Sequence, residues 1–589
     1  MPPRVPLIRR LFTLRTGRNI ALASTTAAGL YLIDTHYNAK TVQRTSRLAF
    51  NGILIGLDYK LNFTPEKAEK IDELHQRVAD RILHVCQSNG TLKALYDDAS
   101  TVDFETVKSI FRKEFGKELE DMFSSFDPIP VAAASIAQVH KATLKDGTVV
   151  AVKVQKPEIP IQIEWDLWAY KYLLKIYEFV FDLPLSFSVE YTTRHLRQET
   201  DFINEARNAE ICDAFLQTDK KLRQQCYVPK IFHDYSTKLV MTAEWVDGVM
   251  ATDRQRIQDM HLSVKKVMDS VVDVFAHQIF VSGFVHCDPH PGNILVRQHP
   301  DNPKTHQLLL LDHGLYVRAS EEFRRQYCLF WKSLFLLDQD TIKDICKKWG
   351  IGDPQMFANA TLLKPYNMNR APSIPTSSTS SLADAYELQQ KMKSSLKEFL
   401  TNSELLPREL IFIGRNMSIV RANNKTLGSP VNRINRMARW AVTGLGIYWS
   451  EDAMPPGLLA NLRIRSALHD RETVAPGNHL YHTHFSSSYE LDTSLSSSTM
   501  AIHPSRLYQH QSFWGSLMNA IRAQIDSWWF EAALALMSLA YHVAQARAYL
   551  ERHLLGRKTD GFEALMDDAL RKQLEREFGI KIEGDLFDA

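Results

Sequence analysis

The feature that most constrains this chain is a pair of short polar segments separated by one apolar run. Residues 286–293 read His-Cys-Asp-Pro-His-Pro-Gly-Asn, and four leucines later lead into Asp-His-Gly at 312–314. An Asp followed five residues later by an Asn, and then a strand that ends in Asp-x-Gly, is a layout that holds a catalytic carboxylate and two magnesium ligands. The spacing predicts one polar site that contains Asp288, Asn293 and Asp312.

Protein kinases use this layout, and their loops usually read His-Arg-Asp-Leu and Asp-Phe-Gly. Here Cys287 replaces the Arg and His313 replaces the Phe, so the pattern predicts an atypical kinase. We expect Cys287 to fill a buried slot, the alternative being a thiol that is sensitive to modification. The six cysteines of the chain form no Cys-x-x-Cys pair, which favours reduced thiols without a structural zinc site.

A lysine upstream fits the phosphate-binding role. The turn at 145–147 reads Lys-Asp-Gly and predicts a hairpin, whose second strand contains Val-Ala-Val-Lys at 150–153. A Lys on such a strand reaches the α- and β-phosphates of ATP when a helix-borne carboxylate holds it in place. A helix predicted over 190–210 offers three carboxylates for this purpose: Glu199, Asp201 and Glu205.

Two further stretches complete the expected nucleotide site. Residues 238–246 predict a buried strand that runs into a linker, where the backbone at Glu244 and Val246 would bind adenine. The stretch 130–140 stands where kinases have a glycine-rich loop, and it contains Ala132, Ala133, Ala134 and Ser135. Alanine does not take positive φ as glycine does, so we expect a stiffer loop that cradles the phosphates differently.

Together these segments resemble the UbiB family of atypical kinases, also called AarF-domain or ABC-one kinases, and in particular its mitochondrial branch. The resemblance covers roughly residues 50–450, and the Ala-rich loop and the Asp-Pro-His-Pro-Gly-Asn run are its most specific motifs. It implies an α+β class, with a protein-kinase-like two-lobe fold, an N-terminal helical extension and a helical C-terminal tail. It also implies ATP and Mg²⁺ as cofactors, and a role in coenzyme Q and mitochondrial lipid homeostasis.

The resemblance also assigns roles by position. It implies that Lys153 binds the phosphates with Glu205 as its partner, that Asp288 is the catalytic acid, and that Asn293 and Asp312 hold Mg²⁺. Glu199 and Asp201 match the family's Glu-x-Asp motif. Positions farther along, Arg415-Asn416 and Arg421-Ala422-Asn423, resemble the family's large lobe and are expected to pack and form hydrogen bonds.

One family motif is missing. The N-terminal extension of the family carries Lys-x-Gly-Gln, which lies over the nucleotide and contacts the Glu-x-Asp element. This chain contains no such sequence, and residues 88–99 resemble its two flanks joined directly. Two explanations remain open: a gene-model or splicing artefact, or a real deletion that leaves a less occluded site.

The domain organisation follows from these motifs and from the composition between them. The predicted units are a mitochondrial presequence at 1–19, a candidate membrane anchor at 20–40, an N-terminal helical extension at 41–125, a small lobe at 126–250, a large lobe at 251–450, and a Ser/His-rich linker with a helical tail at 451–589. The presequence is predicted because five arginines and no acid precede Asp34. The apolar stretch 20–33 is short for a span of about 20 residues, so an anchor and a cleaved or interfacial helix both remain open.

Apolar periodicity predicts helices over 64–88, 102–123, 260–283 and 513–553. The small lobe is expected to combine strands with one long helix. The helix over 513–553 is expected to pack on the large lobe or lie at a membrane interface, rather than to span a membrane. An exposed loop is predicted at 371–381, and a metal site at His479, His482 and His484 is the weaker reading of a flexible linker.

The charge composition bears on which class of partner the chain is expected to bind. A formal net charge of +2 gives no reason to expect nucleic acid. The resemblance implies mitochondrial membrane lipids or quinone-related lipids, at the inner membrane. Three functions are then weighed: an ATPase or small-molecule or lipid kinase; a pseudokinase that acts as a nucleotide-gated scaffold; and a lipid carrier without nucleotide dependence, which leaves Lys153, Asn293 and Asp312 unexplained.

Overall fold

A computed structural model describes residues 41–62, 101–134, 136–181, 187–362, 406–446 and 513–554, together with isolated positions at 34, 73, 74, 76–78, 80, 81, 562, 563, 566 and 572. Several predicted features lie outside these residues. They are the presequence, the anchor apart from Asp34, most of the helix at 64–88, the loop at 371–381, and the histidines at 479, 482 and 484.

The strands, in chain order, are β1 (Phe123–Phe126), β2 (Ala132–Ala133), β3 (Ala137–Leu144), β4 (Val149–Gln155), β5 (Cys226–Tyr227), β6 (Val240–Glu244), β7 (Val249–Met250), β8 (Phe284–His286), β9 (Ile294–His299), β10 (Asn302–Leu310) and β11 (Tyr316–Arg318). The helices are α1 (Thr41–Asn62), α2 (Phe104–Phe115), α3 (Leu119–Met122), α4 (Ile159–Phe181), α5 (Phe187–Glu199), α6 (Phe202–Thr218), α7 (Leu222–Gln225), α8 (Arg254–Asp259), α9 (Val264–His277), α10 (Glu321–Leu336), α11 (Gln339–Lys348), α12 (Pro354–Leu362), α13 (Glu409–Thr426), α14 (Arg433–Leu445) and α15 (Phe513–Leu554).

The small lobe is built on an antiparallel sheet in the order β1-β3-β4-β6, with β2 paired to β3. The predicted hairpin is confirmed, and Gly147 at φ 89° supplies its left-handed turn residue. Alternate residues of β4, Val150, Val152 and Val154, are buried against α2. The predicted boundary between the N-terminal extension (41–125) and the small lobe (126–250) falls within β1, so the sheet of the small lobe begins inside the segment that was assigned to the extension.

Three helix predictions are wrong, because the structure ends or divides helices that were predicted to be continuous. The helix predicted over 102–123 stops at Gly116, whose φ of 64° closes α2 with a left-handed cap. The helix predicted over 190–210 is two helices, because the Asp201 carboxylate accepts a hydrogen bond from the Ile203 N–H and starts α6. The small lobe therefore has α4, α5 and α6 between β4 and β5 where one long helix was expected.

The large lobe surrounds α9, which is buried along most of its length as the sequence periodicity predicts. A sheet in the order β5-β10-β9-β7 and the pair β8-β11 lie against it. Phe530 and Leu534 of α15 enter the same core, so the prediction that this helix packs on the large lobe is confirmed. None of the helices that the structure describes combines the length and apolar character needed to cross a bilayer. The α+β, kinase-like two-lobe class is confirmed.

Candidate nucleotide site

The centre of the site is a lysine held by two carboxylates from different lobes. Lys153 Nζ on β4 donates to Glu205 Oε1 and Oε2 on α6, at 2.7 and 2.9 Å. The same nitrogen lies 3.0 Å from Asp312 Oδ2, which follows β10 in the large lobe. Of the three helix carboxylates considered, the structure therefore gives Lys153 the partner Glu205. Lysine, helix glutamate and Asp-x-Gly aspartate are all in place, as an active kinase requires.

The charges of this triad control one another. Burial opposes the charge on Lys153, but the neighbouring Asp312 and Glu205 together raise its pKa above the usual value. Burial likewise works against the Asp312 carboxylate, yet Lys153 and the Gly314 N–H hold the pKa of Asp312 well below its ordinary range. Burial and the nearby Asp312 raise the pKa of Glu205 to about 7, although Lys153 acts in the opposite direction. Lys153 and Asp312 are thus charged at neutral pH.

The catalytic loop is fixed by backbone hydrogen bonds. The Asp288 N–H donates to His286 Nδ1 at 3.0 Å, and Asn293 Nδ2 donates to the Asp288 carbonyl at 3.1 Å. Asn293 is linked to the strand before Asp312, because its carbonyl accepts from the Leu311 N–H at 3.0 Å. The structure therefore brings Asp288, Asn293 and Asp312 into one site, as their spacing predicts.

The residues that replace the usual kinase Arg and Phe are both buried. Cys287 packs with Leu315 and Val317, and burial raises the pKa of its thiol far above the ordinary value, which fits the predicted slot-filling role. His313 lies between Tyr316 Oη at 3.0 Å and the Leu310 carbonyl at 3.1 Å. Burial and the nearby His286 lower the pKa of His313 to about 3, so its ring is neutral. Asn208 of α6 donates to the His313 carbonyl at 3.0 Å and ties this turn to the small lobe.

The two acids of the Glu-x-Asp motif have different positions. Asp201 caps α6, which is a structural role. Glu199, the last residue of α5, lies against Gly314 in the cleft. Burial, followed by the negative charges of Asp312 and Asp288, raises the pKa of Glu199 to about 7. Glu199 therefore belongs to the site, whereas Asp201 shapes the helix beside it.

The Ala-rich loop and the linker form the small-lobe wall. Ala132 and Ala133 pair with β3, and the Ala134 N–H donates to the Ala137 carbonyl at 2.7 Å, so this N–H is not available to a phosphate. Ser135 lies outside the described residues.

At the linker, the Glu244 and Trp245 N–H groups donate to the carbonyls of Lys230 and Val149. The Glu244 carboxylate accepts from Tyr227 Oη. Val246 makes no backbone hydrogen bond to any residue that the structure describes, so its N–H and carbonyl are not used within the linker.

Helix α13 contributes a residue that the sequence does not reveal. Asn416 Nδ2 donates to the His286 carbonyl at 2.6 Å, and Asn423 Nδ2 donates to the Pro289 carbonyl at 2.9 Å, in agreement with the expected hydrogen-bonding role. Arg415, in contrast, donates from Nη2 to Asp288 Oδ1 at 3.1 Å. This ion pair was not predicted, because nothing in the spacing links residue 415 to residue 288. The available signal for this contact is that Arg415 directly precedes Asn416, which binds the loop.

The donor set fits a magnesium ion. Asn293 offers an amide oxygen, since its amide nitrogen is used by the Asp288 carbonyl, and Asp312 offers an ionised carboxylate; both are hard oxygen ligands. Within the described residues, His, Cys, Asp and Glu side chains form no group of three or more that could hold a metal ion. A site at Asn293 and Asp312 would leave several positions for water and phosphate oxygens, as Mg²⁺ prefers.

Comparison with known proteins places these motifs in a wider context. Residues 94–346 match the family described as ABC1 atypical kinase-like domain. An ABC1 family protein of Schizosaccharomyces pombe is 37% identical, over 70% of this chain and 81% of its own length. AarF domain-containing protein kinase 1 of Mus musculus is 32% identical, over 76% of this chain and 90% of its own length. The solved Rv3197–erythromycin complex of Mycobacterium tuberculosis matches 66% of this chain and 97% of its own length, with a TM-score of 0.35 and 18% identity.

Proposed function

Because this chain belongs to the ABC1 family of atypical kinase-like proteins, we propose that it is an ATP-dependent enzyme, either a Mg²⁺-dependent ATPase or a small-molecule or lipid kinase. The observation that carries the proposal is the triad of Lys153, Glu205 and Asp312, which joins both lobes at 2.7–3.0 Å. A lone Lys on a strand has little meaning, but this triad next to Asp288 and Asn293 reproduces the phosphate-binding and metal-binding set of a kinase.

Each residue has a role that its contacts support. Lys153, held by Glu205, binds the α- and β-phosphates of ATP. Asp288 accepts the proton of the attacking hydroxyl or water as its oxygen bonds to the γ-phosphorus, and the bond to the bridging oxygen breaks with its electron pair leaving on ADP. A magnesium ion at Asn293 and Asp312 would neutralise charge on the phosphates. Positioning and electrostatic stabilisation then supply most of the rate.

The second candidate is a pseudokinase that binds nucleotide as a scaffold. It is favoured by the Ala-rich loop, because the Ala134 N–H is already bonded to Ala137 and offers the phosphates nothing. The replacement of the usual loop Arg by Cys287 and the absence of Lys-x-Gly-Gln leave room for the same function. Turnover separates them, since a scaffold keeps its function when Asp288 is replaced.

The deciding experiment measures MgATP-dependent thermal stabilisation and ATP turnover of the full chain in detergent or liposomes. Asp312→Asn is expected to lose both signals, and Asp288→Asn to lose turnover while it still binds MgATP. Asp234→Asn, an exposed acid that is not among the site residues, is the matched control and should behave as wild type. Stabilisation without turnover in wild type would favour the scaffold, and no response to MgATP would refute both nucleotide-dependent functions.

We further propose mitochondrial membrane lipids or quinone-related lipids as partners. The support is a row of exposed apolar side chains on α4, namely Ile161, Trp165, Trp168 and Tyr172, with Lys175 beside the Tyr172 ring. Helix α1 carries a second exposed row, and seven residues separate it from the apolar sequence at 20–33. Aromatic residues with flanking Lys or Arg are typical of surfaces that rest at a membrane interface.

Flotation with vesicles of phosphatidylcholine and cardiolipin tests this partner. The double variant Trp165→Ser/Trp168→Ser is expected to reduce co-flotation several-fold. Trp528→Ser/Trp529→Ser removes a more exposed tryptophan pair from α15 and is the control for a general loss of apolar surface. Equal loss in both variants would mean that α4 is not the docking surface, and flotation of neither wild type nor control would refute the lipid partner.

A further inference from the structure

The carboxylate of Asp288 is half-exposed at the mouth of the cleft, and its orientation depends on one neighbour. Arg415 Nη2 lies 3.1 Å from Asp288 Oδ1, and this is the ion pair that the structure gives Asp288. Two further carboxylates lie near it, because Asp288 and Asp312 both act electrostatically on Glu199. A carboxylate in such surroundings turns away from its neighbours unless a cation holds it.

The backbone on both sides of this ion pair is already fixed. Asn416 and Asn423 bind the carbonyls of His286 and Pro289, so α13 and the catalytic loop are held together without any help from residue 415. Asn293 and His286 fix the carbonyl and N–H of Asp288. The remaining freedom is rotation of the Asp288 side chain, and the guanidinium of Arg415 limits that rotation.

The position before Asp288 cannot supply this charge. Cys287 is fully buried, and burial keeps its thiol neutral. The guanidinium comes instead from a helix 127 residues later in the sequence. Arg415 has 52% of its side chain exposed, so it contributes little to the core and its replacement should not unfold the chain.

We propose that Arg415 is a positioning residue that holds Asp288 by Oδ1 and leaves Oδ2 free to accept the proton of the attacking hydroxyl or water. This inference rests on the proposed enzymatic function. Arg415 itself exchanges no proton and forms no bond in the reaction. Without this contact the Asp288 side chain can rotate and move its carboxylate oxygens by about an ångström. Misplacement of a reacting group on that scale lowers reaction rates by about 100-fold. Nucleotide binding, which depends on Lys153 and Asp312, should be unaffected.

The test compares Arg415→Met and Arg415→Lys with wild type, using the full chain. Arg415→Met is expected to lower kcat by about 30- to 100-fold and leave the KM for MgATP within two-fold. Arg415→Lys should recover part of kcat, because an ammonium restores the charge but makes one contact where a guanidinium can fork. The matched control is Arg439→Met: Arg439 is 57% exposed and pairs with Glu531 at 2.9 Å, far from the cleft.

Hydrogen exchange of the peptide that spans residues 286–293 separates positioning from folding. The loop backbone should exchange at the wild-type rate in Arg415→Met, since the two asparagines still hold it. Faster exchange would assign Arg415 a structural role and overturn the inference. If Arg415→Met keeps the wild-type kcat, or loses no more kcat than Arg439→Met, the inference about Arg415 is wrong while the proposed enzymatic function stands. Absence of turnover in wild type would refute the proposed function, and the inference with it.

Discussion

Replacement of Lys153 by Met leaves the Glu205 carboxyl buried without its cation. Glu205 is 1% exposed and loses hydrogen bonds of 2.7 and 2.9 Å, with the His313 N–H at 3.5 Å as a remaining donor. The pKa of Glu205, raised by burial to about 7 in wild type, must rise further in the variant. The variant therefore keeps Glu205 protonated above pH 7, where the wild-type carboxylate is ionised and paired.

The sign and magnitude follow from proton linkage. A carboxyl whose folded pKa is raised stabilises the fold below its unfolded pKa, near 4.5, and loses that contribution as pH rises through the folded pKa. In wild type the loss ends near pH 7, whereas in Lys153→Met it continues at about 1.4 kcal/mol per pH unit. Between pH 7 and pH 9 the deficit of the variant should grow, with an upper bound of about 3 kcal/mol. Removal of one partner from a buried ion pair typically costs about 3–5 kcal/mol.

Urea denaturation of the nucleotide-free protein at pH 7 and pH 9 measures this deficit. Lys153→Met/Glu205→Gln is expected to be more stable at pH 9 than Lys153→Met, because the amide has no proton to lose. Lys141→Met, an exposed lysine on the neighbouring strand β3, is the control and should show no growth in deficit with pH. A deficit of Lys153→Met that is equal at the two pH values, or unchanged by Glu205→Gln, would refute the reasoning.

Three further predictions concern the large lobe. His277 is buried and burial lowers its pKa to about 4, so its stabilising contribution is present above pH 6.5 and is lost as pH falls towards 4. Between pH 6.5 and pH 5 the free energy of unfolding of His277→Leu should therefore fall by about 2 kcal/mol less than that of wild type, as measured by urea titration at each pH. A Cβ at Gly444 would lie 2.1 Å from the Phe280 carbonyl oxygen, whereas a Cβ at Gly414 would have nothing within 4 Å. Calorimetry should show a Tm several degrees lower for Gly444→Ala and a gain in stability of about 0.5–1 kcal/mol for Gly414→Ala. Equal effects of the two substitutions would contradict this difference in packing. Asn416→Leu leaves the His286 carbonyl without its donor, so we expect a loss of about 1–3 kcal/mol and faster hydrogen exchange at 286–293; an unchanged exchange rate would show that the loop does not depend on α13.

Sequence reasoning succeeds here where a function depends on short, ordered motifs. The strand that carries Lys153, the loop with Asp288 and Asn293, and the turn with Asp312 are each local, and the structure assembles them as predicted. The correct partner among three nearby acids was named by the resemblance, and the structure gives the physical reason. Asp201 is used as a helix cap, and α5 ends at Glu199, so Glu205 is the acid that α6 presents to β4.

The failures have physical causes as well. The break between α5 and α6 depends on the Asp201 cap, and apolar periodicity does not register a cap of one residue. The break at Gly116 has the same origin. Arg415 could not be found from spacing, because its contact with Asp288 joins positions that only the folded large lobe brings together.

The hydrogen bonds from α13 to the loop at 286–293 have a consequence for the newly synthesised chain. A ribosome that has just completed the Asp-His-Gly turn has already made every predicted phosphate and metal ligand, yet Asn416 and Asn423 are still about 100 residues away. At 5–20 residues per second, roughly 5–20 seconds pass before that helix exists, apart from the time needed to leave the exit tunnel. The nascent polypeptide therefore carries the 286–293 loop without the hydrogen bonds of Asn416 and Asn423 throughout this interval, and the loop reaches its final conformation only when synthesis of the large lobe is nearly complete.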